Sequence, residues 1–372
     1  MKTKKLFSLL LLSIFYSCQE SDNAIYTPLP EAKVLTDCEL IFRFDTEYPL
    51  QAQEKDSLLF LTSRKSDKCI TVINKNTKSV SQKFANRGMG PNDAIDPVFI
   101  VNNYLYNDSL LLTDANSGRF FTIKMDSTNH FQLNGNGFFP DKIYRSSNLN
   151  FCDNLIIGRD VTSNQNMFFI YDQNNQSIKE IKYRPFLEGL KANMNYYSAT
   201  NIAANPERNV IVTAMYHMDL VHLYDFQGNL KKSIQFSENP VPRVNEEREA
   251  LALEEGYNGT SFIFPSENYL YLKRSHVEVE KKGGSYIPHE TFTIVKLDWD
   301  GNVIGHYSFD EEIGFFCVNE KTSDLYISKH SVNHVFSSPT SIINFTSKKP
   351  SYDDTRRSGR DNELLQRAQN DL

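Results

Sequence analysis

The sequence predicts an all-β fold, a six-bladed β-propeller with four-stranded blades. Three observations carry this expectation. A phrase made of a polar turn and an apolar run occurs six times, at steps of 52, 45, 55, 59 and 56 residues. Each copy is followed by a second strand-like run, most by a third, with Asn, Asp and Gly gathered at the turns between them. The runs are apolar throughout, as expected for small sheets covered on both faces by neighbours.

The copies read Asp56-Ser57-Leu58-Leu59-Phe60-Leu61, Asp108-Ser109-Leu110-Leu111-Leu112 and Asp153-Asn154-Leu155-Ile156-Ile157. They continue as Arg208-Asn209-Val210-Ile211-Val212, Glu267-Asn268-Tyr269-Leu270-Tyr271-Leu272 and Ser323-Asp324-Leu325-Tyr326-Ile327. The second runs include Ile70-Thr71-Val72-Ile73, Phe120-Phe121-Thr122-Ile123 and Phe168-Phe169-Ile170-Tyr171, with 332–336 as the last of the six. Turns such as Asp225-Phe226-Gln227-Gly228-Asn229 and Asp298-Trp299-Asp300-Gly301-Asn302 supply residues that accept positive φ in tight hairpins. The phrase marks the second strand of each blade. The segment Glu39-Leu40-Ile41-Phe42-Arg43-Phe44 precedes the first copy and is placed to close the ring on the last blade. A β-helix has shorter coils, and sandwiches do not repeat in this way.

The ring is bounded at 33–346. The charged, Ala/Leu-rich stretch 243–255 interrupts the pattern and predicts a short helix between the fourth and fifth blades. The polar tail 347–372 ends in a second expected helix, 361–372, with Asp361 as its cap and Leu364, Leu365 and Ala368 on one face.

Residues 1–17 stand apart from the fold. Lys2, Lys4 and Lys5 precede an apolar run at 6–16, which is too short for a bilayer span and the right size for a signal-peptide core. Ser17-Cys18 followed by Gln19-Glu20-Ser21-Asp22 resembles a bacterial lipobox, with Phe15 standing where Leu is common. The expectation is a lipoprotein acylated at Cys18, with 18–32 as a linker. Gln19 lacks the inner-membrane retention character of Asp, so the outer membrane is expected, on its periplasmic or cell-surface side. Removal of 1–17 takes three Lys and no acids, leaving 37 basic against 46 acidic residues and a net charge of −9. That balance argues against nucleic acid as a partner. Cys38, Cys69, Cys152 and Cys317 remain, irregularly spaced and without a CxxC pair, and read as buried free thiols.

The lipobox, the six-fold phrase and the loop Asn86-Arg87-Gly88-Met89-Gly90-Pro91-Asn92-Asp93 together resemble the TolB-like six-bladed propeller lipoproteins of gut Gram-negative anaerobes. Gly88, Gly90 and Pro91 match the family's glycine phrase, and Asp93 stands where Glu is commoner. The resemblance runs from about 33 to 345 and implies the fold. It hands on no settled activity.

Catalytic motifs are absent from the sequence. No Lys-Ser/Thr follows Gly88-Met89-Gly90, no bidentate Glu completes a calcium loop after Asp114, and the eight histidines form no ligand spacing. No catalytic residue, metal ligand or cofactor is assigned. The connections after the phrase, 63–69, 114–119, 159–167, 215–219, 273–291 and 328–334, share one end of the ring. They hold ten Lys/Arg against seven acids. Arg64, Lys65, Arg119, Arg159, Lys273, Arg274 and Lys329, with Tyr286 in the longest connection, form a candidate ligand-binding rim. The function expected is a non-catalytic binding or scaffold module for a glycan, peptide or envelope protein. The alternative is a hydrolase or lyase whose site lies in the central channel.

Overall fold

The computed structural model describes residues 24–36, 38–44, 49–63, 66–100, 109–143, 146–160, 166–182, 200–245, 250–309, 313–330 and 340–346. Six sheets of four or five strands, with one two-stranded ribbon, make up the strands of these residues. Five of the blades are consecutive stretches of chain, within 49–86, 98–138, 146–182, 200–235 and 257–308. The sixth joins Ile313–Asn319, Asp324–His330 and Thr340–Thr346 to the N-terminal strand Glu39–Phe44, which pairs antiparallel with Thr340–Thr346. The ring is thereby closed by strands from the two ends of the domain, as the sequence predicted.

The recurring phrase has a conformational origin. Asp56, Asp153, Asn209 and Ser323 all have φ between 50° and 60° and sit in the turn between the first and second strands of their blades. Asp and Asn enter this left-handed region at lower cost than other side chains, because their short polar groups bond locally. The third-to-fourth-strand turns repeat as well. Asp225 Oδ1 accepts from Asn229 N at 2.8 Å and Asp298 Oδ1 from Asn302 N at 2.8 Å, with Gly228 and Gly301 at φ 76° and 77°.

Apolar clusters bridge every pair of neighbouring blades. Phe60, Ile70, Leu112 and Phe121 join the first two; Leu149, Phe169 and Phe139 join the second and third. Met167, Ile202 and Met215 follow, then Val212, Leu272 and Trp299. The last cluster spans three blades, with Phe264, Phe316, Tyr326 and Leu59, and completes the circle. Burial of these faces on both sides is the main force holding the ring.

Three expectations need correction. The described residues of 243–255 form no α-helix: Val244–Asn245 pairs with Ala250–Leu251, and Leu253–Glu255 is a single 3-10 turn. Leu251 and Ala252 are consecutive and both buried, with Leu251 in the core between blades three and four. That packing overrides the helix propensity of Glu, Ala and Leu. Within the segment expected as linker, Ile25–Tyr26 lies on the ring edge, where it adds a parallel fifth strand to blade four. Lys33–Val34 does the same to blade five. The third strand of blade six is Thr340–Thr346, not 332–336, which lies outside the described residues. The expected helix at 361–372 lies outside them too.

Candidate binding face

The connections between second and third strands lie at one end of the ring, as expected from blade equivalence. Three basic rim residues turn inward there. Arg119 is 8% exposed; its guanidinium donates to Gly90 O at 2.7 Å, to Asp93 O and to Pro91 O. Lys273 is buried, donates to Gly314 O at 2.6 Å, and lies 3.7 Å from the Phe292 ring centroid. Arg274 forms a two-pronged pair with the buried Asp219, Nε to Oδ1 at 2.8 Å and Nη2 to Oδ2 at 2.7 Å. Arg159 is half-buried, and desolvation lowers its pKa. Arg64 and Lys65 lie outside the described residues, as does the side chain of Lys329. A guanidinium that reaches carbonyls or a carboxylate inside the fold has few donors left for an external anion.

The glycine loop is a clamp between blades one and two. Gly88 N donates to Ala94 O and Asp93 N to Gly90 O. The Asp93 carboxylate packs directly against Gly90, in the space a Cβ there would take. Arg87 reaches across to Ser63 O at 2.7 Å, and Ile95 N donates to the buried Asp114.

Two exposed apolar side chains that the charge count overlooked lie near Arg119, which binds the carbonyl of Gly90, the residue after Met89. Met89, in the glycine loop, is 65% exposed. Phe138 is 70% exposed, with its ring centroid 5.8 Å from the Arg119 guanidinium carbon. The loop 273–291, expected to be a mobile insertion, is instead strand. Tyr269–Lys282 and Ser285–Asp298 pair without a break to the turn at Gly283-Gly284. Tyr286 and Ile287 are exposed near its tip, with Lys281 Nζ 5.4 Å from the Tyr286 ring centroid.

The axial channel measures about 360 Å³; apolar side chains such as Phe99, Ile202 and Phe262 line it together with amides and hydroxyls, among them Gln51, Asn148, Asn150, Asn201 and Ser146, and with Asp96. Several of these amides latch one innermost strand to the next. Asn148 donates to Thr200 O at 2.9 Å, Asn150 to Ile202 O at 3.3 Å and Asn201 to Thr260 O at 2.8 Å, while Gln51 accepts from Phe99 N at 2.8 Å. Among the described residues no group of three or more His, Cys, Asp or Glu is placed to hold a metal ion.

The family model of TolB-like 6-blade propeller-like proteins matches residues 28–321. The chain belongs to this family. Among solved structures it is similar to a member of the DUF4221 family from Bacteroides vulgatus, at 13% identity and a TM-score of 0.50, covering 85% of this chain and 94% of that one. It is also similar to a protein described as exported from Bacteroides fragilis, at 11% identity and a TM-score of 0.48, covering 88% and 95%. At 13% identity the likeness to the DUF4221 structure speaks to the fold alone. No curated protein sequence matches the chain.

Proposed function

We propose that this TolB-like propeller is a cell-envelope lipoprotein, acylated at Cys18 and held at the outer membrane, whose ring end around Met89 and Phe138 binds an envelope protein without catalysis. The observation that carries the reading is the exposure of Met89 and Phe138 beside the glycine loop, where the buried Arg119 binds the Gly90 carbonyl and lies under the Phe138 ring. Exposed Met and aromatic side chains fixed on a rigid support are the chemistry of protein-interface anchors. The hairpin tip, with Tyr286 and Ile287, supplies a second apolar element in the connection expected to carry recognition. This replaces a basic rim by an apolar one. The six residue steps from Cys18 to Ala24 reach at most about 20 Å, so acylation would keep the ring close to the bilayer.

The test is a pulldown from native membranes with the wild type, with Met89→Ser/Phe138→Ser, and with residues 279–288 replaced by a two-residue turn. The expected result is a captured envelope protein that is lost with the double substitution while the melting temperature is retained. Equal capture by all three excludes this face. Separately, Cys18→Ser is expected to move the protein from the membrane fraction to the soluble fraction; persistence in the membrane excludes the acyl anchor.

A further inference from the structure

A second cavity, unrelated to the channel and to the Met89–Phe138 face, lies between blades five and six. It measures about 1040 Å³, at the upper end of the range for small-molecule sites. The chain at 33–36 and 38–39 borders it. This strap is tied to blade five through Lys33–Val34 and Leu35 N, and to blade six through Glu39–Phe44.

Blade five presents Tyr269, Tyr271, Tyr307 and Lys296 to this space, and blade six presents Glu320. The three phenol hydroxyls form no hydrogen bond within the described residues, nor does the Lys296 ammonium. Lys296 Nζ instead rests 3.6 Å from the Tyr269 ring centroid and 5.5 Å from that of Tyr271. Burial lowers the Lys296 pKa, and burial followed by the nearby Glu320 raises that of Tyr271. Glu320 lies within electrostatic reach of Lys296 but makes no ion pair with it; its carboxylate accepts from Asn268 N at 3.1 Å and Asn268 Nδ2 at 2.7 Å. Four donors therefore open on one cavity, with an acceptor on the facing wall.

The charge on the walls narrows the occupant. Lys33 and Lys296 are set against Glu39, Glu320 and Asp324. Glu39 is paired with Lys78, and Asp324 accepts from Thr322 and Tyr326. A strongly anionic ligand would meet Glu320, and a cationic one would meet Lys296. A neutral ligand whose groups both donate and accept satisfies the phenols, the ammonium and the carboxylate together, and its apolar C–H surface suits tyrosine rings. We infer that the cavity between blades five and six is a binding site for a neutral saccharide of two or three rings, held by Tyr271, Tyr307, Lys296 and Glu320.

The experiment is binding of the full mature chain carrying Cys18→Ser to an array of neutral oligosaccharides, with galacturonate oligomers and spermidine as charged probes. Hits are titrated by calorimetry against the wild type, Tyr271→Phe, Tyr307→Phe and Lys296→Met. The expected result is a neutral oligosaccharide bound about tenfold more weakly by each variant, in line with one lost hydrogen bond apiece, with melting temperatures retained. Tyr307→Phe keeps the ring and removes only the hydroxyl, so it separates recognition from packing should Lys296→Met fail to fold. Binding confined to the charged probes, neutral binding indifferent to all three substitutions, or no neutral ligand on the array would each overturn the inference. Loss of the Met89–Phe138 face is expected to leave saccharide binding unchanged, so the two sites stand or fall separately.

Discussion

Gly228, in the last turn of blade four, lies directly against Ile181 in the outer strand of blade three. Gly301 stands in the same relation to Ile234 one blade further on. In both turns a Cβ would enter the space of the isoleucine Cδ1, and both glycines have positive φ. Glycine is thus required twice over, by backbone conformation and by the approach of the neighbouring blade.

Gly228→Ala should therefore destabilise the ring by about 2–4 kcal/mol, combining left-handed strain with overpacking. Gly284→Ala provides the comparison, since its φ is 84° but nothing lies within 4 Å of an added Cβ. That variant should lose only about 1 kcal/mol. Urea midpoints of the two variants check the order, and equal losses would show that blade contact contributes nothing.

The Arg274–Asp219 pair ties blade five to the 216–219 connection of blade four, with Asp219 side chain 0% and Arg274 side chain 14% exposed. Arg274→Met leaves a buried carboxylate without its partner and should cost about 3–5 kcal/mol. The double variant Arg274→Met/Asp219→Leu should recover part of that loss. A double-variant cycle in urea measures the coupling; additive losses would contradict it.

His217 is buried between the rings of Tyr216 and Tyr257, and desolvation holds its pKa down to about 4 against an ordinary 6.5. The unfolded chain then binds a proton that the folded chain refuses between these values. The stabilisation is complete above pH 6.5 and declines as pH falls towards 4, by on the order of 2–3 kcal/mol. His217→Gln should flatten this part of the stability–pH curve relative to the wild type. Parallel curves for the two proteins would exclude His217 as the cause.

Cys69, Cys152 and Cys317 are buried as expected, and burial pushes each thiol up, Cys152 to about 12; Cys38, expected to be buried with them, is exposed. The thiolate is the reactive form. In a Cys18→Ser variant, a maleimide should add once to the native protein and four times in denaturant, as read by intact mass. More than one rapid native addition would argue that these blades open.

The repeat was legible because a backbone requirement wrote it. A polar residue that tolerates positive φ must precede the second strand, and Asp56, Asp153, Asn209 and Ser323 meet that requirement in four blades. The same logic made Gly228 and Gly301 readable as turn positions. Arg119 and Arg274 were legible as charges but not by direction, since carbonyls of the glycine loop and the carboxylate of Asp219 lie far from them along the chain. Met89 carried a faint signal, an apolar residue inside a glycine loop. Phe138 carried none, because its exposure is decided by tertiary packing and not by its place in the strand pattern.

Sequence alone decided the period, the apolar strands and the closing role of Glu39–Phe44, because these depend on local conformation and on burial that every blade repeats. Tertiary structure decided the rest. It paired Val244–Asn245 with Ala250–Leu251 where a helix was expected, extended Tyr269–Lys282 beyond its blade, and laid Ile25–Tyr26 and Lys33–Val34 along two sheet edges. Each of these outcomes rests on contacts between residues far apart in the chain, and no spacing rule records such contacts.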